Sequence, residues 1–138
     1  MRFATPEAVE DAYYDALEAG DLEGLLGVWD TADDIVCGLP MAAMAIGREA
    51  VEAMWRDALD AMKRIDLQVR HLGWIRSEDL AIHLVQELPP GAPGQTTPPV
   101  YATNIYRKRE GNWQMIWHQN SPPPPPPGPE SGTFPHLP

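Results

Sequence analysis

The segment "NWQMIWHQN" ends with His118 and Asn120 two positions apart, on one face of an extended chain. An imidazole beside a carboxamide pairs a general base with a group that fixes its tautomer. His118 is therefore the candidate base, with Asn120, or Asn104 on the preceding strand, holding the ring. Gln86 joins the two asparagines as a third neutral amide. Such amides orient the oxygen atoms of a neutral ligand but hold no fixed charge. Tyr13 supplies a phenol, either as a core tyrosine or as a donor at a pocket. Trp29 and Trp55 offer flat apolar walls, and Leu84 and Ile116 extend them. His71, among Leu67, Val69 and Ile75, reads as a hydrogen-bonded core histidine or as part of the same lining.

Metal and nucleotide chemistry find little support. His71, His83 and His118 lack ligand spacing, and the strand register derived below sets His83 on the opposite face; no metal and no other cofactor is expected. Gly91 and Gly94 belong to a proline-rich loop rather than to a phosphate-binding motif. Cys37 is the only cysteine, which excludes an intrachain disulfide, and it reads as a small core residue.

The elements that must position these groups change character along the chain. Thr5-Pro6-Glu7 reads as an N-cap, a proline in the first turn and an acid facing the helix dipole. Val9, Ala12, Tyr13, Ala16 and Leu17 follow helical spacing, and Gly20 ends the run. Asp21 caps a short helix carrying Leu22, Leu25, Leu26 and Trp29, and "DDIVCGLP" is a short strand. "GREAVEAMWRDALDAM" is a third helix striped by Val51, Met54, Trp55, Ala58 and Met62. From Asp66 onward the period falls from about 3.6 to about 2, giving strands in "DLQVRHLGWIR", "DLAIHLVQEL", "VYATNIYRKR" and "NWQMIWHQN". Helices followed by strands specify an α+β fold: a curved, mixed or antiparallel sheet wrapped around three N-terminal helices. "PPGAPGQTTPP" reads as a long rim loop. Pro122–Pro127 cannot donate to a sheet, so residues 1–121 form the domain and 122–138 a Pro-rich tail.

Turn chemistry then suggests a register. A two-residue turn at Ser77-Glu78 pairs Gln86 with Val69 and Leu84 with His71. A three-residue loop, Arg109-Glu110-Gly111, pairs Asn104 with Ile116. Ala102, Asn104, Ile116, His118 and Asn120 then share one face, and Ile105, Trp113, Met115 and Trp117 the other. The second apolar face needs cover, most simply another copy of the sheet, so a homodimer through Trp113, Met115 and Trp117 is expected.

Acidic residues number 20 against 10 basic, a net charge of −10. That surface repels phosphate backbones and anionic lipid, so neither nucleic acid nor a membrane is an expected partner. With no apolar run near the ~20 residues that span a bilayer, and no apolar leader, a cytoplasmic protein is expected.

In order and spacing, "AGDLEGLLGVW", "IGREAVEAMWRDAL" and "REGNWQMIWHQNS" make residues 6–121 resemble the nuclear transport factor 2-like superfamily. It includes SnoaL-like cyclases, ketosteroid isomerase and the association domain of calcium/calmodulin-dependent kinase type II. The resemblance implies a cone-like, cystatin-like α+β roll, open at one end to a pocket. Tyr13, eight residues before Asp21, stands where the isomerase carries its oxyanion-hole tyrosine. Trp29 and Trp55 replace two supporting tyrosines, and Leu39, before Pro40, replaces the aspartate base. A leucine abstracts no proton, so the isomerase's usual mechanism is excluded. Gln86, Asn104 and Asn120 match three pocket arginines of the association domain, which removes the attraction for an anionic ligand. The expectation is a SnoaL-like domain binding a neutral hydrophobic or polycyclic molecule, as an isomerase, cyclase or dehydratase using His118 with Tyr13. The alternative is a non-catalytic binding or oligomerisation module.

Overall fold

The structure, a computed structural model, describes residues 2–90 and 98–121. The centre of the expected rim loop and the Pro-rich tail lie outside the described residues. Helix α1 spans Pro6–Ala19 and starts where its cap demands: the Thr5 hydroxyl accepts the Ala8 N–H at 3.1 Å. It stops at Gly20, whose left-handed φ of 68° turns the chain toward α2, Leu22–Val28, itself capped by Asp21. A Cβ at Gly20 would lie 2.2 Å from the Lys63 carbonyl oxygen, so the turn also needs glycine for close approach. After the short strands β1 (Val36–Gly38) and β2 (Ala45–Ile46), helix α3 runs from Arg48 to Met62. Arg48 reaches back with its guanidinium to the carbonyls of Leu26, Trp29 and Asp30, at 3.0, 3.1 and 3.1 Å. It thereby satisfies the free carbonyl end of α2 and locks the two helices together. Among the described residues no helix is long and apolar enough to cross a membrane.

The remaining strands are β3 (Gln68–Arg76), β4 (Leu80–Leu88), β5 (Val100–Arg109) and β6 (Asn112–Ser121). They form one six-stranded sheet in the order β2-β1-β6-β5-β4-β3, antiparallel except where β1 runs parallel to β6. The expected α+β architecture, three helices against a mixed sheet, is the one observed. Val9, Tyr13 and Leu17 of α1, Leu25 and Val28 of α2, and Val51 and Trp55 of α3 pack with Trp113 and Met115 of the sheet into one core.

Both expected registers are corrected. Four residues, Ser77 to Leu80, lie between the last paired positions of β3 and β4, so Arg76 pairs with Ala81 and Trp74 with His83. An extra residue, Leu72, then bulges between His71 and Gly73, and beyond it His71 pairs with Val85. Ala81, His83, Val85 and Glu87 therefore point inward, while Leu84 is exposed and Gln86 faces the other way. In the β5–β6 hairpin the turn has two residues, not three. Glu110 (φ 52°) and Gly111 (φ 75°) are both left-handed, and Arg109 pairs with Asn112. A second bulge at Ile116 reverses parity along β6, so Asn104 faces His118 rather than Ile116. Trp113 and Met115 are buried under the helices and belong to no outer interface; of the three expected interface residues only Trp117 stays outside.

Candidate functional site

Two neighbouring rows of paired residues cross the sheet, and they separate its faces. The inner row reads Trp74–His83–Asn104–His118–Cys37–Ala45 from β3 to β2. The outer row, one residue along, reads Ile75–Ile82–Ile105–Trp117–Val36–Ile46. Polar chemistry lies under the helices and the aliphatic row faces away.

A cavity of about 660 Å³ opens between α1, α3 and the sheet. Leu39, Met54, Trp55, Ala58, Ile65 and Leu67 make most of its wall apolar. Its polar groups are few: Tyr13, Glu87, His118 and Asn120, with Asp57 also on the lining. Of the residues expected to line it, Tyr13, Trp55, His118 and Asn120 do. Trp29 is buried core beside Met115, and Asn104 stands one layer behind the cavity. His71, Leu84, Gln86 and Ile116 are not on the lining. Leu39, at the isomerase-base position, contributes only hydrocarbon.

His118 sits at the centre of a fixed network. Its Nδ1 lies 2.6 Å from Asn104 Oδ1 and its Nε2 3.0 Å from Asn120 Oδ1. Neither amide can turn over. Asn120 Nδ2 donates to Glu87 Oε1 at 2.8 Å and to the Tyr101 carbonyl, and Asn104 Nδ2 donates to the Tyr14 hydroxyl at 3.0 Å. Tyr14 in turn donates to Glu87 Oε2 at 2.7 Å. The ring thus faces two acceptor oxygens, and the Glu87 carboxylate stands 4.0 Å from Nε2. Burial pushes the His118 pKa down, outweighing the opposing pull of Glu87, Asn120 and Glu10. The imidazole is neutral at pH 7, yet an acceptor and a counter-charge already await a second proton. A ring so placed can take up a proton and be held as the cation.

Tyr13 lies edge-on to Trp55 and tilted to His118, with ring centroids 5.8 and 5.2 Å away. Its hydroxyl is buried and has no hydrogen-bond partner among the described residues. Burial, then the charge of Glu87, raises its pKa well above the ordinary value, so it remains a phenol and a donor. The Cys37 thiol is likewise held protonated by burial.

Glu87 and Glu10 were missed by the sequence reading. Glu10 sits on α1, nearly sealed from solvent, and gathers polar groups from three strands. His71 Nε2 contacts its Oε1; His83 Nδ1 lies 2.8 Å and the Tyr106 hydroxyl 2.5 Å from its Oε2. Asn104 Nδ2, at 3.5 Å, joins this cluster to the His118 network. The available signal was a face on which His83, Glu87, Asn104, Tyr106 and His118 recur at strand spacing.

The SnoaL-like domain family matches residues 7–125. A protein from Thiobacillus denitrificans, assigned as a calcium/calmodulin-dependent protein kinase type II association domain, is 40% identical, with 90% of this chain and 99% of that one covered and a TM-score of 0.83. A Streptomyces avermitilis protein, assigned as a dehydratase of the nuclear transport factor 2-like family, is 24% identical over 85% of this chain and 92% of its own, TM-score 0.73. A ketosteroid isomerase-like protein from Erwinia carotovora atroseptica is 22% identical over 86% and 94%, TM-score 0.64. Among curated proteins none matches the chain.

Proposed function

The chain belongs to the SnoaL-like domain family, and on that premise we propose that it binds a neutral, largely apolar, ring-bearing molecule in the cavity and moves a proton on it. The observation that carries this reading is Tyr13, which lines an apolar cavity together with His118 and Glu87 and whose buried hydroxyl has no partner among the described residues. A buried donor without an acceptor costs about 1–3 kcal/mol, which a carbonyl oxygen of a ligand offsets. With that oxygen on Tyr13, a proton on the adjacent carbon passes to His118. The imidazolium is held by the asparagine oxygens and Glu87, and Tyr13 stabilises the enolate. Return of the proton to a different carbon isomerises the substrate; its delivery to a departing hydroxyl dehydrates it.

The test is a thermal-melting screen with hydrophobic ketones, followed by turnover of the hits. His118→Ala should retain ligand stabilisation and lose turnover. Unchanged rates would remove His118 from the mechanism, and no stabilised melting with any ketone would remove the cavity.

A second reading, a non-catalytic oligomerisation module, is favoured by the Thiobacillus protein's similarity over nearly the whole of both chains. The two readings share one surface. The outer row of Ile75, Ile82, Ile105 and Trp117, with the exposed Leu80 and Leu84 beside it, is an apolar stripe that a second copy would cover. Ile105→Lys should convert a dimer to monomers in sedimentation equilibrium; a wild-type protein already monomeric at high concentration would sink the interface.

A further inference from the structure

We propose that Glu10, His71 and His83 form a site for a divalent transition cation of the zinc type. Glu10 offers two carboxylate oxygens, His71 its Nε2 and His83 its Nδ1, and one ligand atom from each lies within 4.8 Å of the others. Two imidazoles and a carboxylate are the donor set that zinc, cobalt and nickel accept, and three protein ligands leave a position open.

The fold brings the ligands together by a specific device. His71 and Trp74 both flank the His83 ring, although an odd spacing along a regular strand would put them on opposite faces. The Leu72 bulge reverses the parity and aims His71 at Glu10. The expectation of no metal rested on the lack of ligand spacing and on His83 facing away from His71; the true register removes the second reason.

The surroundings suit an ion. The Tyr106 hydroxyl donates to Glu10 Oε2 at 2.5 Å and Asn104 Nδ2 stands 3.5 Å from the same oxygen, orienting the carboxylate as outer-shell donors orient metal ligands. Glu10 and His83 are buried, whereas the His71 side chain is 40% exposed and provides a path from solvent. The cation would take the place of the hydrogens that His71 Nε2 and His83 Nδ1 direct at Glu10, each neutral ring then carrying its single proton on its other nitrogen.

The experiment uses the full chain, stripped with a chelator and titrated with Zn²⁺ by calorimetry and with Co²⁺ by visible absorption. One ion per chain, ligand-field bands from Co²⁺ and a higher melting temperature with Zn²⁺ are expected. His71→Ala, at a half-exposed position, should fold and weaken Zn²⁺ by more than about 100-fold, and Tyr106→Phe by about 10–100-fold. No saturable uptake of Zn²⁺, Co²⁺ or Ni²⁺ would overturn the site. Undiminished binding by His71→Ala would do the same, placing the ion on other acidic groups.

Discussion

Asn104 and His118 are direct partners across β5 and β6, and the asparagine oxygen lies 2.6 Å from the imidazole Nδ1. This contact sets the chemistry of the cavity, because the asparagine amide is held from behind by Tyr14 and Glu10 and cannot offer its nitrogen instead. The neutral ring has one proton for two acceptor oxygens, and the shorter contact assigns it to Nδ1; Nε2, 3.0 Å from Asn120 Oδ1 and 4.0 Å from Glu87, is then the nitrogen that takes the second.

Glu87→Gln tests that assignment. The substitution preserves shape but removes the negative charge that pulls the His118 pKa upward against burial. His118 should titrate at lower pH than in the wild type, followed by imidazole NMR signals across a pH series. A shift in the other direction would show that Glu87 is not its counter-charge.

Tyr13→Phe and Tyr106→Phe should behave in opposite ways. Tyr13 has a hydroxyl without a partner, so its removal leaves stability unchanged or slightly raised, while ligand turnover falls about 100–1,000-fold if it is the oxyanion donor. Tyr106 donates to the Glu10 carboxylate, so its removal takes a hydrogen bond from a buried charge that keeps only His83 and the longer Asn104 contact on that oxygen, and costs about 1.5–3 kcal/mol. Urea unfolding of the two variants and one turnover assay separate the roles.

Little in the hydrophobic pattern could have given the inner face. Along β4 the larger apolar side chains Leu80, Ile82 and Leu84 point away from the helices, and the smaller or polar Ala81, His83, Val85 and Glu87 point toward them. The helices crowd that face, so size and polarity there are set by the space beneath α1 and by the Glu10 and His118 networks. The helices and strands themselves were readable because caps and periods act locally: Thr5, Gly20 and Asp21 bound their helices where expected. The two bulges were not, since an extra residue is set by strand curvature and leaves no local mark. His118, Asn120, Tyr13 and Trp55 survived the slip because β6 beyond Ile116 and the helices keep their faces. Leu84, Gln86 and His83 did not.

Glu10 makes acid stability a readout of its cluster. Burial would push its pKa up, but hydrogen bonds from His83, Tyr106 and His71 and the charge of His83 bring it from 4.5 to about 2. The folded value is depressed, so its stabilisation is complete above pH 4.5 and is lost as pH falls toward 2. A gap of that size corresponds to about 3 kcal/mol. His118, also depressed when folded, adds an earlier loss as pH drops through about 6.5, where the unfolded chain takes up a proton the native ring resists. Glu10→Gln should therefore lower stability at pH 7 and flatten its dependence below pH 4.5, measured by urea unfolding at each pH. A wild-type profile that stays flat from pH 7 to 3 would contradict both assignments.

Asp30 and Asp34 share Arg107 but should differ sharply in worth. Asp30, just after α2, is sealed from solvent; it accepts the Ala32 N–H at 2.9 Å, Arg107 Nη2 at 3.0 Å and both Nε and Nη2 of Arg109. Those bonds outweigh burial and lower its pKa. Asp34 meets the same guanidinium at 2.7 and 3.0 Å, but its side chain is 63% exposed and its ion pair is screened. Asp30 ties the end of α2 to β5, and its loss leaves Arg109 without that anchor and the Ala32 amide without its acceptor. Because both arginines reach water, the cost falls below that of a fully buried pair, so Asp30→Ala should lose about 2 kcal/mol. Asp34→Ala should lose under about 1 kcal/mol. Equal losses in chemical denaturation would mean that Arg107, rather than the buried carboxylate, organises this joint.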